Sequence, residues 1–146
     1  MQAIAKEEVV DVAFPDGTVV RACGLARRDE NRIWRTFGLY LDNRWRPDWP
    51  AEMIDWEDFG LPRIPHKAAR SIRAAFERAR NGERVEVGCY GGLGRTGTVL
   101  ACMATLAGVP AGDAVAWVRA HYHERAVETA EQEAWVCWFA TDEADC

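Results

Sequence analysis

Apolar and polar residues alternate from Val9 to Ala22 around Pro15-Asp16-Gly17, the pattern of two short strands joined by a tight turn, and predict a β-hairpin. A further strand is predicted over Phe37 to Leu41, ended by the turn-forming pair Asp42-Asn43. Tryptophans and prolines crowd residues Trp45 to Pro50; a short strand-like run, Glu52 to Ile54, then precedes a loop from Trp56 to Pro65. There the period changes. From Pro65 to Arg80 the residues Ala, Ile and Phe recur at helical spacing, with Pro at the start and Asn81-Gly82 as the stop, which predicts a helix. Arg84 to Val87 places β-branched residues at alternate positions and reads as a strand. A glycine-rich turn, Gly88 to Gly97, follows and leads into an apolar helix from about Arg95 to Ala107, closed by Gly108. Two more helices are predicted, from Pro110 to about Tyr122 and from Thr129 to about Ala140. Strands come first, helices dominate the end, and a strand–loop–helix unit lies between them. That order predicts an α/β fold with a single central sheet covered by helices.

Composition narrows the reading. The 146 residues suit one domain, 1–146, and half of them are apolar, so a core can be buried. The formal charge of −5 argues against a protein that coats nucleic acid. The five cysteines, Cys23, Cys89, Cys102, Cys137 and Cys146, are odd in number and nowhere spaced as C-x-x-C, so they suggest neither a disulfide framework nor a zinc site. His121 and His123 are two apart, so on a helix they face different ways, and no metal site is expected with His66. Cys102 and Cys137 read as core residues. No apolar leader or span-length run is visible, which predicts no membrane association and a cytoplasmic location.

The chemistry concentrates in the turn. Cys89-Tyr90-Gly91-Gly92-Leu93-Gly94-Arg95-Thr96 is C-x5-R-T between a strand and a helix. Residues bent around a phosphate point successive backbone N–H groups inward, and glycines permit the curvature and the close approach. The helix beginning at Arg95 brings its positive end to the same spot. Arg95 offers a planar fork matched to two phosphate oxygens. A Cys89 thiolate in such a field faces bound phosphorus as a nucleophile. Tyr90, Gly91, Gly92, Leu93, Gly94 and Arg95 form the candidate phosphate cradle. The Thr96 hydroxyl is placed to stabilise the sulfur as a leaving group, or else to cap the helix. Gly92 to Gly97 also satisfies G-x-G-x-x-G, but a dinucleotide-binding unit should open its fold and lead to a second parallel strand. No Lys follows the glycines, so a nucleotide P-loop is excluded. A plain glycine turn with an inert cysteine is the remaining alternative.

Expulsion of an alkoxide or phenoxide needs a proton donor. Upstream stands Trp56-Glu57-Asp58-Phe59-Gly60-Leu61-Pro62. With C-x5-R-T after it, this segment resembles the acid loop of the protein tyrosine phosphatase superfamily, usually W-P-D-F-G-x-P. The resemblance runs from about Phe37 to Phe139 and is nearest to the compact, dual-specificity-like branch. It implies that Asp58 is the general acid on a mobile loop, with Asp55 as a competing carboxylate, and that Trp56 is a hinge and packing residue. Ala126 to Gln132 is similar to the segment that orders the hydrolytic water: Glu128 stands at the first of its usual Gln positions and Gln132 at the second. Thr129-x-x-Gln132 is equally a helix capping box. Two departures stand out, Gly88 for the usual His before the nucleophile and Glu57 for the usual Pro.

The expected function is therefore cysteine-dependent hydrolysis of a phosphomonoester, on a phosphorylated protein or a small molecule, through a phosphocysteine and without a cofactor. The expected catalytic residues are Cys89, Asp58, Arg95, Thr96 and Gln132. The alternatives are a phosphatase of an inositol phosphate, nucleotide or RNA 5′ end, and a phosphate-binding module without turnover.

Overall fold

A computed structural model describes residues 9–24, 34–42 and 47–141. The hairpin forms as β1 (Val10–Ala13) and β2 (Val19–Gly24), antiparallel with Val12 opposite Val20. Its turn is closed by the Phe14 N–H to the Thr18 carbonyl at 2.8 Å and by Asp16 Oδ1 accepting the Thr18 N–H, while Gly17 takes the left-handed backbone (φ 92) that the turn requires. The remaining strands are β3 (Phe37–Tyr40), β4 (Ala51–Met53) and β5 (Val85–Cys89), in the sheet order β1-β2-β5-β3-β4. All pairings except β1–β2 are parallel.

The helices are α1 (Pro65–Arg80), α2 (Gly94–Leu106), α3 (Ala114–His121) and α4 (Ala130–Ala140). The first of these packs on β2, β3 and β5, and α2 packs on β5, α1, α3 and α4. The buried side chains of Val12, Val20, Leu39, Val85 and Val87 meet Ile72, Phe76, Leu100 and Met103 in one apolar cluster. The single sheet covered by helices is the expected architecture. One expected element differs. Pro110 is extended (ψ 144), so the segment after it makes only a short 3₁₀ turn, Ala111–Asp113, before α3 begins. Gly112, a poor helix former, sits in that turn. Strand β5 also runs two residues further than the expected Val87 and carries Cys89 to the end of the sheet. The turn at Asn43 and the tryptophan at Trp45 lie outside the described residues. Cys102 is fully buried, as read from the sequence, whereas Cys137 is half-buried.

A polar cluster is sealed against the central strands. Glu86 on β5 has no exposed surface and receives Arg35 Nε at 2.8 Å, Cys23 Sγ at 3.4 Å and the Tyr40 hydroxyl. Trp49 Nε1 donates to that hydroxyl at 3.0 Å, and its ring stacks under the Arg35 guanidinium. Burial, reinforced by the Glu86 charge, pushes both the Cys23 thiol and the Tyr40 phenol up, so each stays a donor. Removing one member of a buried ion pair strands its partner, at a cost of about 3–5 kcal/mol. Arg35→Met should lower the unfolding free energy by that amount in urea titration, and adding Glu86→Leu should restore most of it.

Candidate active site

Two short backbone runs meet at the carboxyl edge of the parallel strands, the usual ligand edge of such sheets. Cys89 is the last residue of β5, and α2 begins at Gly94. Central placement fixes the strand end: Gly88 lies opposite Cys23 of β2 on one side and Tyr40 of β3 on the other, and Leu41 N–H donates to its carbonyl at 2.9 Å. The chain then turns through Gly92, at φ 79, whose N–H points at Cys89 Sγ at 3.2 Å. From behind, the Tyr122 hydroxyl donates to the Gly92 carbonyl. The sulfur is covered, with Cys89 only 2 % exposed, while Tyr90 stands out at 66 %.

Arg95 is buried. Its Nη1 donates to the carbonyls of Leu41 at 2.8 Å and Trp56 at 2.9 Å, and its Nη2 lies 3.7 Å from Asp58 Oδ1. Its Nε has no partner, and neither has the fully buried Thr96 hydroxyl. Helix α2 has no side-chain cap, so Thr96 does not serve as one. These two unpartnered buried polar groups sit on consecutive residues beside the Cys89 loop, where a polar ligand could satisfy them. The cleft in front measures about 570 Å³ and is lined by Asp42, Trp56, Asp58, Arg63, Tyr90 and Arg95, among others.

The segment from Asp55 to Arg63 is closed on itself. Trp56 bridges to Pro62, its Nε1 donates to the Gly60 carbonyl at 2.8 Å, and its buried ring packs edge-on against Trp135 at 5.4 Å. Phe59 takes a left-handed backbone (φ 61), which a bulky residue adopts only under constraint. Asp55, which also lines the cleft, pairs with Arg63 at 2.6 Å, while Asp58 lies beside Arg95.

Gln132 is fully buried at the start of α4, and both ends of its amide are engaged: Oε1 accepts the Glu128 N–H at 2.8 Å and Nε2 donates to the Gly60 carbonyl at 3.1 Å. The Thr129 hydroxyl caps the helix by accepting the Gln132 N–H at 3.1 Å. The expected water-orienting residue is thus a strut between α4 and the Asp58 loop. Glu128 stands closer to the phosphate loop, its Oε1 lying where a Cβ on Gly94 would be. Although Glu128 is exposed, partial desolvation shifts its carboxyl upward and the Asp58 charge adds to the effect, against the pull of Arg95 and Arg125.

Sequence reading missed Tyr122 and Arg119. The latter holds the Ala126 and Val127 carbonyls, each at 2.8 Å. No motif marks either residue, because each acts through a backbone group that only the fold brings near. Among the described residues no three His, Cys, Asp or Glu side chains gather as a metal site, and no helix is long and apolar enough to cross a membrane.

The seat of the 126–128 segment yields a stability test. A Cβ on Gly97 would meet Val127 N at 2.8 Å and Ala126 Cα at 3.1 Å, backbone atoms that cannot step aside. Gly97→Ala should therefore destabilise by about 1–3 kcal/mol, read by thermal or denaturant unfolding, despite the better helix propensity of Ala.

Comparison with known proteins identifies the family and the fold. The sequence profile of the family described as protein-tyrosine phosphatase matches residues 18–136. Two proteins of Methanocaldococcus jannaschii, both described as uncharacterized, are 38% and 36% identical over 108 residues, covering 67% of this chain and 71% and 66% of theirs. A crystal structure of kinase associated phosphatase, with its catalytic-site cysteine replaced by serine, superposes with a TM-score of 0.77 at 13% identity, over 98% of this chain and 97% of that one. The active form of Tk-PTP gives 0.66 at 23% identity, over 89% and 96%.

Proposed function

Because the chain belongs to the protein-tyrosine phosphatase family, we propose that it hydrolyses phosphomonoesters, protein phosphotyrosine or phosphoserine/threonine foremost, through a phosphocysteine on Cys89. The observation that carries the reading is the pair of unsatisfied buried groups, Arg95 Nε and the Thr96 hydroxyl, set beside the Cys89 loop and next to a carboxylate.

In the first step the Cys89 thiolate attacks phosphorus while the ester P–O bond breaks. Arg95 and the loop amides from Tyr90 to Arg95 hold the charge that spreads over the non-bridging oxygens. Asp58 gives its proton to the leaving oxygen. Its place beside Arg95 supports this assignment over Asp55, which is held by Arg63. In the second step water attacks phosphorus and gives its proton to the Asp58 carboxylate, the P–S bond breaks, and the Thr96 hydroxyl donates a hydrogen bond to the sulfur as its electron pair returns. Gln132 serves the reaction by fixing the Asp58 loop from behind. None of these steps draws on a cofactor. The reading suits a cytoplasmic protein, where Cys89 stays reduced.

Phosphate release from para-nitrophenyl phosphate and a phosphotyrosine peptide, measured in the presence of a chelator, tests it. Cys89→Ser should abolish turnover, and Asp58→Ala should lower kcat by about 10²–10⁴-fold, less for the activated nitrophenyl ester than for the peptide. Turnover that survives Cys89→Ser would overturn the mechanism. A wild type with reduced Cys89 that binds phosphate yet releases none from either compound would replace the enzyme by a binding module.

A further inference from the structure

A second carboxylate occupies the phosphate loop, and its placement is built at some cost. Glu128 reaches α2 at the one point where the missing side chain of Gly94 leaves room for its Oε1. Gly97, one turn on, lets the backbone of Ala126 and Val127 lie against the same helix. Val127, the residue before Glu128, is a buried β-branched residue with φ 66. Such a residue in the left-handed region is strained and persists only where its surroundings hold it there. The hold is visible: Arg119 grips the Ala126 and Val127 carbonyls, and Val127 N–H donates to Leu93 of the phosphate loop at 3.3 Å.

The Asp58 loop has the same construction. Among the described residues only Phe59 and Val127 combine a side chain with positive φ, and each is the immediate neighbour of a carboxylate, Asp58 beside Arg95 and Glu128 beside Gly94. Gln132 joins the two segments, taking the Glu128 N–H on one end of its amide and holding the Gly60 carbonyl with the other. The charged groups facing Glu128 are Asp58 from the acid loop, Arg95 from α2 and Arg125 from its own segment. Burial and Asp58 favour its protonated form; the two arginines oppose them.

We propose that Glu128 is a second acid–base group of this site, sharing with Asp58 the one proton that leaves with the ester oxygen and returns from the attacking water. The proposal rests on the phosphatase reading above. In the first step the S–P bond forms, the P–O bond breaks, and the proton held by the carboxylate pair goes to the leaving oxygen. In the second, the oxygen of water bonds to phosphorus and the P–S electrons return to Cys89 as thiolate. The proton released by that water goes back to the pair. Two carboxylates whose surroundings differ divide such work readily, and they titrate as a pair rather than as separate residues.

The test compares wild type, Glu128→Gln, Glu128→Asp, Asp58→Asn and the Asp58→Asn/Glu128→Gln double variant, with kcat and kcat/KM for para-nitrophenyl phosphate followed across pH. Glu128→Gln should lower kcat by about 10²-fold and remove one group from the pH profile, while Glu128→Asp keeps that limb. Asp58→Asn should retain turnover that the double variant loses. Wild-type rates and an unchanged profile in Glu128→Gln would overturn the proposal, as would an Asp58→Asn variant already as slow as the double. A titration of the Glu128 carboxyl by NMR in the Cys89→Ser protein needs no turnover. Its midpoint should fall on Asp58→Asn; a midpoint indifferent to that change would likewise overturn the pairing. Absence of wild-type turnover would instead remove the phosphatase reading on which the pairing stands.

Discussion

A guanidinium with 4 % of its surface exposed must find acceptors or destabilise the fold. Arg95 finds them in two backbone carbonyls from segments remote in sequence, Leu41 at the end of β3 and Trp56 at the mouth of the acid loop. Both are backbone atoms, so the contact fixes chain paths and not merely side chains. Satisfying this one cation therefore aligns the strand edge, the acid loop and the first turn of α2. It also brings Asp58 within 3.7 Å of the group expected to hold phosphate. The same side chain thus sets the positions of both the Cys89 loop and Asp58. Only Nη1 is used up by the scaffold, which leaves Nε for a ligand.

The alignment continues in relays. The Trp56 ring donates to the Gly60 carbonyl, the same oxygen that receives Gln132 Nε2, and Gln132 in turn accepts from Glu128. A chain of hydrogen bonds thus runs from Arg95 through the acid loop to α4 and back to the phosphate loop. Its hydrogen bonds are partly sheltered from water, where each is stronger than at the open surface. Such a network tolerates left-handed backbone at Phe59 and Val127, because displacement of either would break contacts well beyond its own.

What the sequence announced and what it hid separate along this line. The strands, α1 and the C-x5-R-T turn were legible because period, caps and glycines are local properties. Asp58 was legible from its motif, and its competitor Asp55 became separable only when Arg63 was seen to hold it. Gln132 was legible as a residue of the site but not in its contacts, which depend on the distant Gly60. The match to G-x-G-x-x-G had a different cause from the one it advertises: Gly94 makes room for Glu128, and Gly97 for the backbone at 126–127. Tyr122 and Arg119 were invisible, since a side chain that serves a carbonyl leaves no spacing rule. The helix expected from Pro110 starts later, at Ala114, for a local reason, the extended ψ of that proline.

The glycine before the nucleophile shows how such a departure is absorbed. Members of the family usually carry His there, a side chain that helps set the loop. In this chain Gly88 is held instead by strands on both sides, Cys23 and Tyr40 being its register partners. Both of these residues donate to Glu86, two positions earlier on the same strand and sealed by Arg35. The loop itself is gripped from the other direction by the Tyr122 hydroxyl on Gly92. Orientation that one imidazole would supply at the loop is therefore distributed between a buried charge beneath the strand and a phenol behind the turn. Burial and the Glu86 charge keep the Cys23 thiol and the Tyr40 phenol protonated, so neither of Gly88's register partners adds a titrating group near neutral pH. The contact that the loop itself makes to the sulfur is the Gly92 N–H, which points at Cys89 Sγ at 3.2 Å.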